Sequence, residues 1–116
     1  MKKLLFIYNP FAGKSKIRGK VSDILSRFIR AGYRVEVYVT QAAGEATQMA
    51  SKRGGSFPLL VCSGGDGTLN EVISGLMRLA PEKRPALGYI PAGTTNDFAR
   101  TLRLPGDLVK AAKVAV

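Results

Sequence analysis

The chain has 116 residues, enough for one domain built on a single hydrophobic core. Its 46% hydrophobic and 22% charged residues are ordinary for a water-soluble globular protein, and no apolar run approaches the eighteen or so residues of a membrane-spanning helix. The net charge of +10 favours anionic partners, whether nucleotide, nucleic acid or an anionic membrane.

The absence of histidine excludes His-based metal sites and His-dependent nucleophilic triads. Any metal must then be a hard cation held by oxygen, which points to magnesium. The single cysteine, Cys62, forms no internal disulfide and reads as an inert, buried thiol at the end of a strand. The apolar run Leu4 to Tyr8 stops at Asn9-Pro10, too short for a signal peptide, so the expected compartment is the reducing cytosol. The basic residues are scattered (Lys14, Lys16, Arg18, Lys20, Arg27, Arg30, Arg34) without interleaved aromatics, which argues against a nucleic-acid platform. Most of them read as solvated helix faces, with a contribution to membrane-surface contact also compatible.

In chain order, "KLLFIY" ahead of Asn9 predicts a buried strand. "KIRGKVSDILSRFIRAG" places Ile17, Val21, Ile24, Leu25, Phe28 and Ile29 on one helical face, closed by Gly32. "YRVEVYVT" (33–40) alternates as a second strand, and "GEATQMASKRGG" is a short helix ending at Gly54-Gly55. "FPLLVCS" (57–63) is a third strand, with Pro58 at its start where a missing N–H is tolerable. "TLNEVISGLMRLA" carries Leu69, Val72, Ile73, Leu76 and Leu79 at helical spacing, with Pro81 as its stop. "ALGYIP" (86–91) is a fourth strand, and "TTNDFARTLRL" opens a further helix. The alternation implies right-handed crossovers and a parallel sheet covered on both faces, an α/β fold of three layers. The tail "DLVKAAKVAV" is a helical pattern without a capping signal, as expected of a piece of a longer protein.

Ligands of open parallel sheets sit beyond the carboxyl ends of the strands. Four unusual loops fall at such ends: Asn9 to Ser15, Thr40, Ser63 to Thr68, and Pro91 to Asn96. "NPFAGKS" ends like a P-loop, but the first glycine of that pattern would fall on Tyr8, so the match fails. Either an ordinary strand-to-helix turn or a phosphate contact through Gly13, Lys14 and Ser15 accounts for it. "GDGTLN" begins like the dinucleotide fingerprint from Gly65, with Asn70 in place of the third glycine. Gly64, Gly65 and Gly67 suit either a turn with positive φ or close approach of backbone to phosphate, and three glycines beside Thr68 favour phosphate. Asp66 either caps the following helix or meets phosphate through Mg²⁺. Glu71 either points at the same site or faces solvent as a cap. In "PAGTTNDFAR", Thr94, Thr95, Asn96 and Asp97 cluster at a helix start, and Asp97 is a second carboxylate for a magnesium network.

The motifs "NPFAGKS", "GGDGTLNEV" and "PAGTTNDFARTL", in that order across nearly the whole chain, resemble the N-terminal catalytic segment of bacterial diacylglycerol kinase-like lipid kinases. GGDGT alone is shared with NAD kinases, and the first and third motifs narrow the choice. The resemblance implies a Rossmann-like sheet, ATP and Mg²⁺ as cofactors, and transfer of the γ-phosphoryl group to a hydroxyl of diacylglycerol or a related lipid. It implies that Asn9, Pro10, Phe11, Ala12, Gly13 and Thr40 contact the nucleotide. Gly64, Gly65, Asp66, Gly67 and Thr68 would cradle its phosphates, and Asn70, Glu71 and Thr94 would complete the pocket. Asp66 and Asp97 would organise magnesium or its water. The partners implied are ATP, the lipid acceptor, transient contact with the inner membrane face, and a second copy in a homodimer, with no nucleic acid. Family members continue into a second, β-rich domain that supplies the acidic general base, so no residue of this chain is assigned that role and the segment alone is expected to be inactive. The competing readings are a NAD kinase-like enzyme and a non-catalytic nucleotide-binding domain.

Overall fold

The computed structural model describes residues 2–10 and 21–91. Strand β1 (Lys2–Tyr8) is the centre of the construction. Leu4, Leu5, Phe6 and Ile7 are all buried, and the two-residue period of a strand sends Leu4 and Phe6 to one face, Leu5 and Ile7 to the other. A strand apolar on both faces has to be covered twice, which is the condition for a parallel α/β sheet.

The remaining elements supply that cover. Helix α1 (Val21–Arg30) leads to β2 (Tyr33–Val39), α2 (Glu45–Arg53) to β3 (Leu59–Gly64), and α3 (Asp66–Leu76) to β4 (Ala86–Pro91). The sheet order is β2-β1-β3-β4, and every pair is parallel. The chain thus moves one way from β1 to β2, then reverses to β3 and β4. Right-handed crossovers place α1 on one face and α2 and α3 on the other. The two cores follow this division. Leu4, Phe6, Leu59, Val61 and Ile90 pack with Ile24 and Phe28 of α1. Leu5, Ile7, Leu60, Cys62 and Tyr89 pack with Ala46, Ala50, Leu69, Val72 and Leu76 of α2 and α3. The predicted three-layer α/β/α arrangement is therefore present in the described residues.

Particular residues set the spacing of these layers. Phe28 meets Phe6 edge to face with centroids 5.5 Å apart, anchoring α1 to the sheet. On the other face Gly75 lets α2 and α3 approach closely, since a Cβ there would lie 2.4 Å from the Thr47 carbonyl oxygen. At the edge, Ala86 donates its N–H to Pro58, so the N–H groups of residues 88 and 90 also face β3 and that of residue 91 would face outward. Pro91 therefore costs the β3–β4 ladder no bond.

Several predicted boundaries move. Residues 16–20 of the first predicted helix lie outside the described residues, and Ile29, expected in its buried face, is 62% exposed. One residue past Phe28 is a further 100° around the helix, which carries Ile29 off the stripe. β3 begins at Leu59, because Gly54–Ser56 forms a 3₁₀ turn ahead of the buried Phe57. Helix α3 starts at Asp66 and ends at Leu76, well short of Pro81. Beyond it the chain tightens, with the Leu79 N–H on the Leu76 carbonyl, and Arg84 Nε donates to the carbonyls of Leu76 and Leu79 at 3.1 Å, holding that turn in place.

Candidate functional site

The strand order reverses between β1 and β3, and the helices that follow these strands, α1 and α3, pack on opposite faces of the sheet. The carboxyl edge at this point is tied together by backbone bonds. Asn9 N–H donates to the Ser63 carbonyl and Thr40 N–H to the Tyr8 carbonyl, each at 3.0 Å, holding the ends of β2, β1 and β3 level. Above them, between the first turns of α2 and α3, lies a cavity of about 340 Å³. Among the described residues its lining is Asn9, Thr40, Gln41, Ala42, Ala43, Ala46, Gly67, Thr68 and Glu71.

Both helices present their N-termini here, and the cap positions are Gly44 and Gly65, neither with a side chain to accept the first N–H groups. Two helix starts aimed at one cavity form a partially positive environment suited to an anion. Asp66 and Glu45, each in a first turn, offset it in part.

The glycines divide into separate cases. No glycine of the β3–α3 turn has positive φ, so a turn requiring that conformation is not their reason. Gly64 is demanded by packing: a Cβ there would sit 2.5 Å from Thr68 Oγ1. At Gly65 and Gly67 a Cβ would meet nothing within 4 Å among the described residues. The described fold makes no demand for glycine at these two positions, and Gly67 lies in a helix, where Ala would be better by up to about 1 kcal/mol. Open space over uncapped N–H groups is what close approach of a ligand requires.

The opposite wall is held by carboxylates. Gly44, with φ of 88°, donates its N–H to Glu71 Oε1 at 3.0 Å, and Thr47 Oγ1 donates to the Glu71 carbonyl at 2.8 Å. Glu71 thus clamps the β2–α2 loop to α3 while lining the cavity. Glu45 Oε1 accepts the Gln41 N–H at 2.8 Å and the Tyr38 hydroxyl at 3.0 Å. That bond, with burial and the Glu45 charge after it, raises the Tyr38 phenol above its ordinary range.

Of the expected site residues, Asn9, Thr40, Gly67, Thr68 and Glu71 come together on the cavity. Gly64, Gly65 and Asp66 form the adjoining turn, with Pro10 following Asn9 and the exposed Asn70 further along α3. Phe11, Ala12, Gly13, Thr94 and Asp97 lie outside the described residues. Sequence reasoning missed Gln41, Ala42, Ala43 and Ala46; the only signal was a run of small residues after a strand. It also missed Tyr89, whose hydroxyl donates to the Gly64 carbonyl at 3.0 Å from a buried position.

Among the described residues no three acidic or thiol groups cluster as a self-sufficient metal site. Asp66 is exposed at the first position of α3, beside the open glycines. A single exposed carboxylate suits magnesium held mainly by substrate phosphates, because that ion typically takes only one or two protein carboxylates.

A doubly wound parallel sheet with a cavity at its strand-order reversal, faced by two helix N-termini, puts the chain in the class of open α/β domains whose ligands sit beyond the strand ends, at a site suited to an anion. The comparisons narrow the class. Residues 3–116 match the diacylglycerol kinase catalytic domain, and the chain belongs to that family. It is 43% identical over 118 residues to a diacylglycerol kinase of Bacillus subtilis, covering all of this chain and 38% of that protein. It is likewise 43% identical over 117 residues to one of Staphylococcus carnosus, covering 99% of this chain and 37% of the relative. A crystal structure of a diacylglycerol kinase from Bacillus anthracis superposes with a TM-score of 0.85 at 36% identity, over 97% of this chain and 41% of the other. The chain therefore spans well under half the length of these relatives.

Proposed function

We propose that this chain is the nucleotide-binding part of an ATP-dependent lipid kinase that phosphorylates a hydroxyl of diacylglycerol or a related lipid. The observation that carries this is the β3–α3 turn, where, among the described residues, Gly65 and Gly67 leave open space over the uncapped start of α3 at the mouth of the cavity. Membership of the diacylglycerol kinase catalytic domain family supports the choice of reaction.

In such a reaction the acceptor oxygen bonds to the γ-phosphorus, its bond to the β–γ bridging oxygen breaks, the hydroxyl proton passes to a base, and ADP leaves. Phosphoryl transfer calls mainly for positioning and charge neutralisation. Here the N–H groups at the start of α3 would orient the phosphates, and the loop held by Glu71 would close the other side of the pocket. Asp66 would hold Mg²⁺, which when bound neutralises phosphate charge. The general base and the lipid cleft are assigned to none of the described residues. Among those residues no helix is long and apolar enough to cross a membrane, and we place the acceptor encounter at a membrane surface, favoured by the basic net charge.

The test uses the full-length protein with radiolabelled ATP, offered either a lipid extract or NAD. Label is expected in a phospholipid. Label in NADP instead would establish the NAD kinase reading, and ATP binding without transfer to either would favour a non-catalytic nucleotide-binding domain. Asp66→Ala is expected to abolish turnover, and near-normal turnover would remove the magnesium assignment.

A further inference from the structure

We propose that Tyr89 is a positioning residue for the nucleotide phosphates: its hydroxyl latches the Gly64–Gly65 peptide so that the Gly65 N–H faces the crevice between β1 and β3. The inference rests on the nucleotide-binding reading of this cavity and goes beyond it, because Tyr89 itself lines no part of the cavity.

The argument begins with the direction of the backbone. The Ser63 carbonyl accepts from Asn9 and so points toward β1. Carbonyls alternate along a strand, and that of Gly64 points the other way, toward β4, where the Tyr89 hydroxyl donates to it. A trans peptide sets its C=O and N–H in opposite directions. The Gly65 N–H is therefore aimed back toward β1, over the place where the strand order reverses. β1 has already ended at Tyr8 there, so the Gly65 N–H lies beyond the β1–β3 ladder.

This peptide is unusually free to turn over. It lies between two glycines, for which left-handed conformations carry little penalty, so a flip that points the carbonyl at the crevice is accessible. A carbonyl there would repel phosphate where an N–H attracts it. One described contact opposes the flip: the Tyr89 hydroxyl holds the carbonyl. Tyr89 is 4% exposed, packed among Leu60, Cys62 and Leu69, so its ring cannot follow a moving turn. Burial, then the charges of Asp66 and Cys62, push its phenol up to about 12, so it stays protonated and able to donate across the neutral range.

The position also connects two motifs. Tyr89 stands two residues before Pro91, on the strand that leads into "PAGTTND", while its hydroxyl acts on the glycine turn after β3. A displacement of either strand end would be felt at the other.

The experiment uses the full-length protein and Tyr89→Phe, which keeps the ring and removes the donor. By calorimetry with Mg²⁺, the affinity for a non-hydrolysable ATP analogue is expected to fall about tenfold, the effect of losing one hydrogen bond to a buried carbonyl. Affinity for adenosine, which has no phosphate, should not change. KM for ATP should rise by a similar factor with KM for the lipid unaltered. Val61→Ala, a cavity in β3 on the α1 side, serves as the stability control and is expected to lower Tm without the ATP-specific loss. The Gly65 amide resonance of the ligand-free protein should shift or double in Tyr89→Phe but not in Val61→Ala. Equal ATP affinity in Tyr89→Phe and wild type, or an equal loss in Val61→Ala, would overturn the inference. If the wild type binds no ATP, the nucleotide reading itself fails, and with it the phosphate role of Tyr89; the amide resonance then reports only whether the latch exists.

Discussion

The two walls of the cavity are built on opposite principles. On the β3–α3 side the backbone is exposed to the site, the glycines have ordinary φ values, and order comes from groups behind the turn: Thr68 against Gly64 and Tyr89 on its carbonyl. On the β2–α2 side the order comes from in front, with Gly44 in the left-handed region and carboxylates of Glu71 and Glu45 gripping loop N–H groups. The first wall leaves the start of α3 without a side-chain cap and so can hold an anion. The second has its loop N–H groups taken up by carboxylates, its own Glu45 and Glu71 from α3, and can shape a pocket more readily than it can bind phosphate.

The sharpest way to break this contrast is Gly64→Ala. The added methyl would meet Thr68 at 2.5–2.7 Å, forcing the first turn of α3 to shift. We expect a loss of about 1–3 kcal/mol in urea unfolding, together with loss of detectable nucleotide binding. Next comes Glu71→Ala, which strands the Gly44 N–H and should cost about 1–2 kcal/mol and weaken nucleotide binding. Glu71→Gln keeps an acceptor and should retain most of the stability. If Gln proves as damaging as Ala, the carboxylate charge matters and the clamp is not its main role.

A third test probes the floor beneath the glycine wall. Burial pushes the Cys62 thiol up from its ordinary 9.0 to about 12. The unfolded chain ionises first, so this contribution is complete below pH 9 and declines as pH rises toward 12. At pH 10 it should amount to roughly 1 kcal/mol of lost stability, measured by urea unfolding and reduced in Cys62→Ala. The native thiol should also resist alkylation at pH 8. The smallest effect is the most discriminating. Gly67→Ala should leave stability unchanged or improve it by up to about 1 kcal/mol, while lowering affinity for ATP. A stable variant with unaltered ATP affinity would show that no phosphate passes over Gly67.

How much of this was legible beforehand differs between the same two walls. "GGDGT" announces itself, because glycines clustered after an apolar strand have few structural explanations. "TQAAGEA" carries no comparable signal, since alanine and glutamate are common anywhere on a helix. Glu71 illustrates the limit well. Its position one turn into α3 was readable, yet its partner Gly44 lies 27 residues earlier and meets it only through the packing of α2 on α3. The boundaries of α3 moved for a similar reason. Arg84, eight residues past Leu76, holds the turn after the helix by a contact that periodicity cannot contain.

Local chemistry by itself determined the alternation of strands and helices, the two-sided burial of β1 and β3, and the glycine turn at a carboxyl end. These depend on side-chain period and backbone freedom, which are properties of neighbouring residues. Only the tertiary structure decided which loops share a wall, that Glu71 grips Gly44, and that Tyr89 reaches the Gly64 carbonyl from an adjacent strand. Those contacts join residues far apart in the chain, and strand order together with crossover handedness brings them within hydrogen-bonding distance.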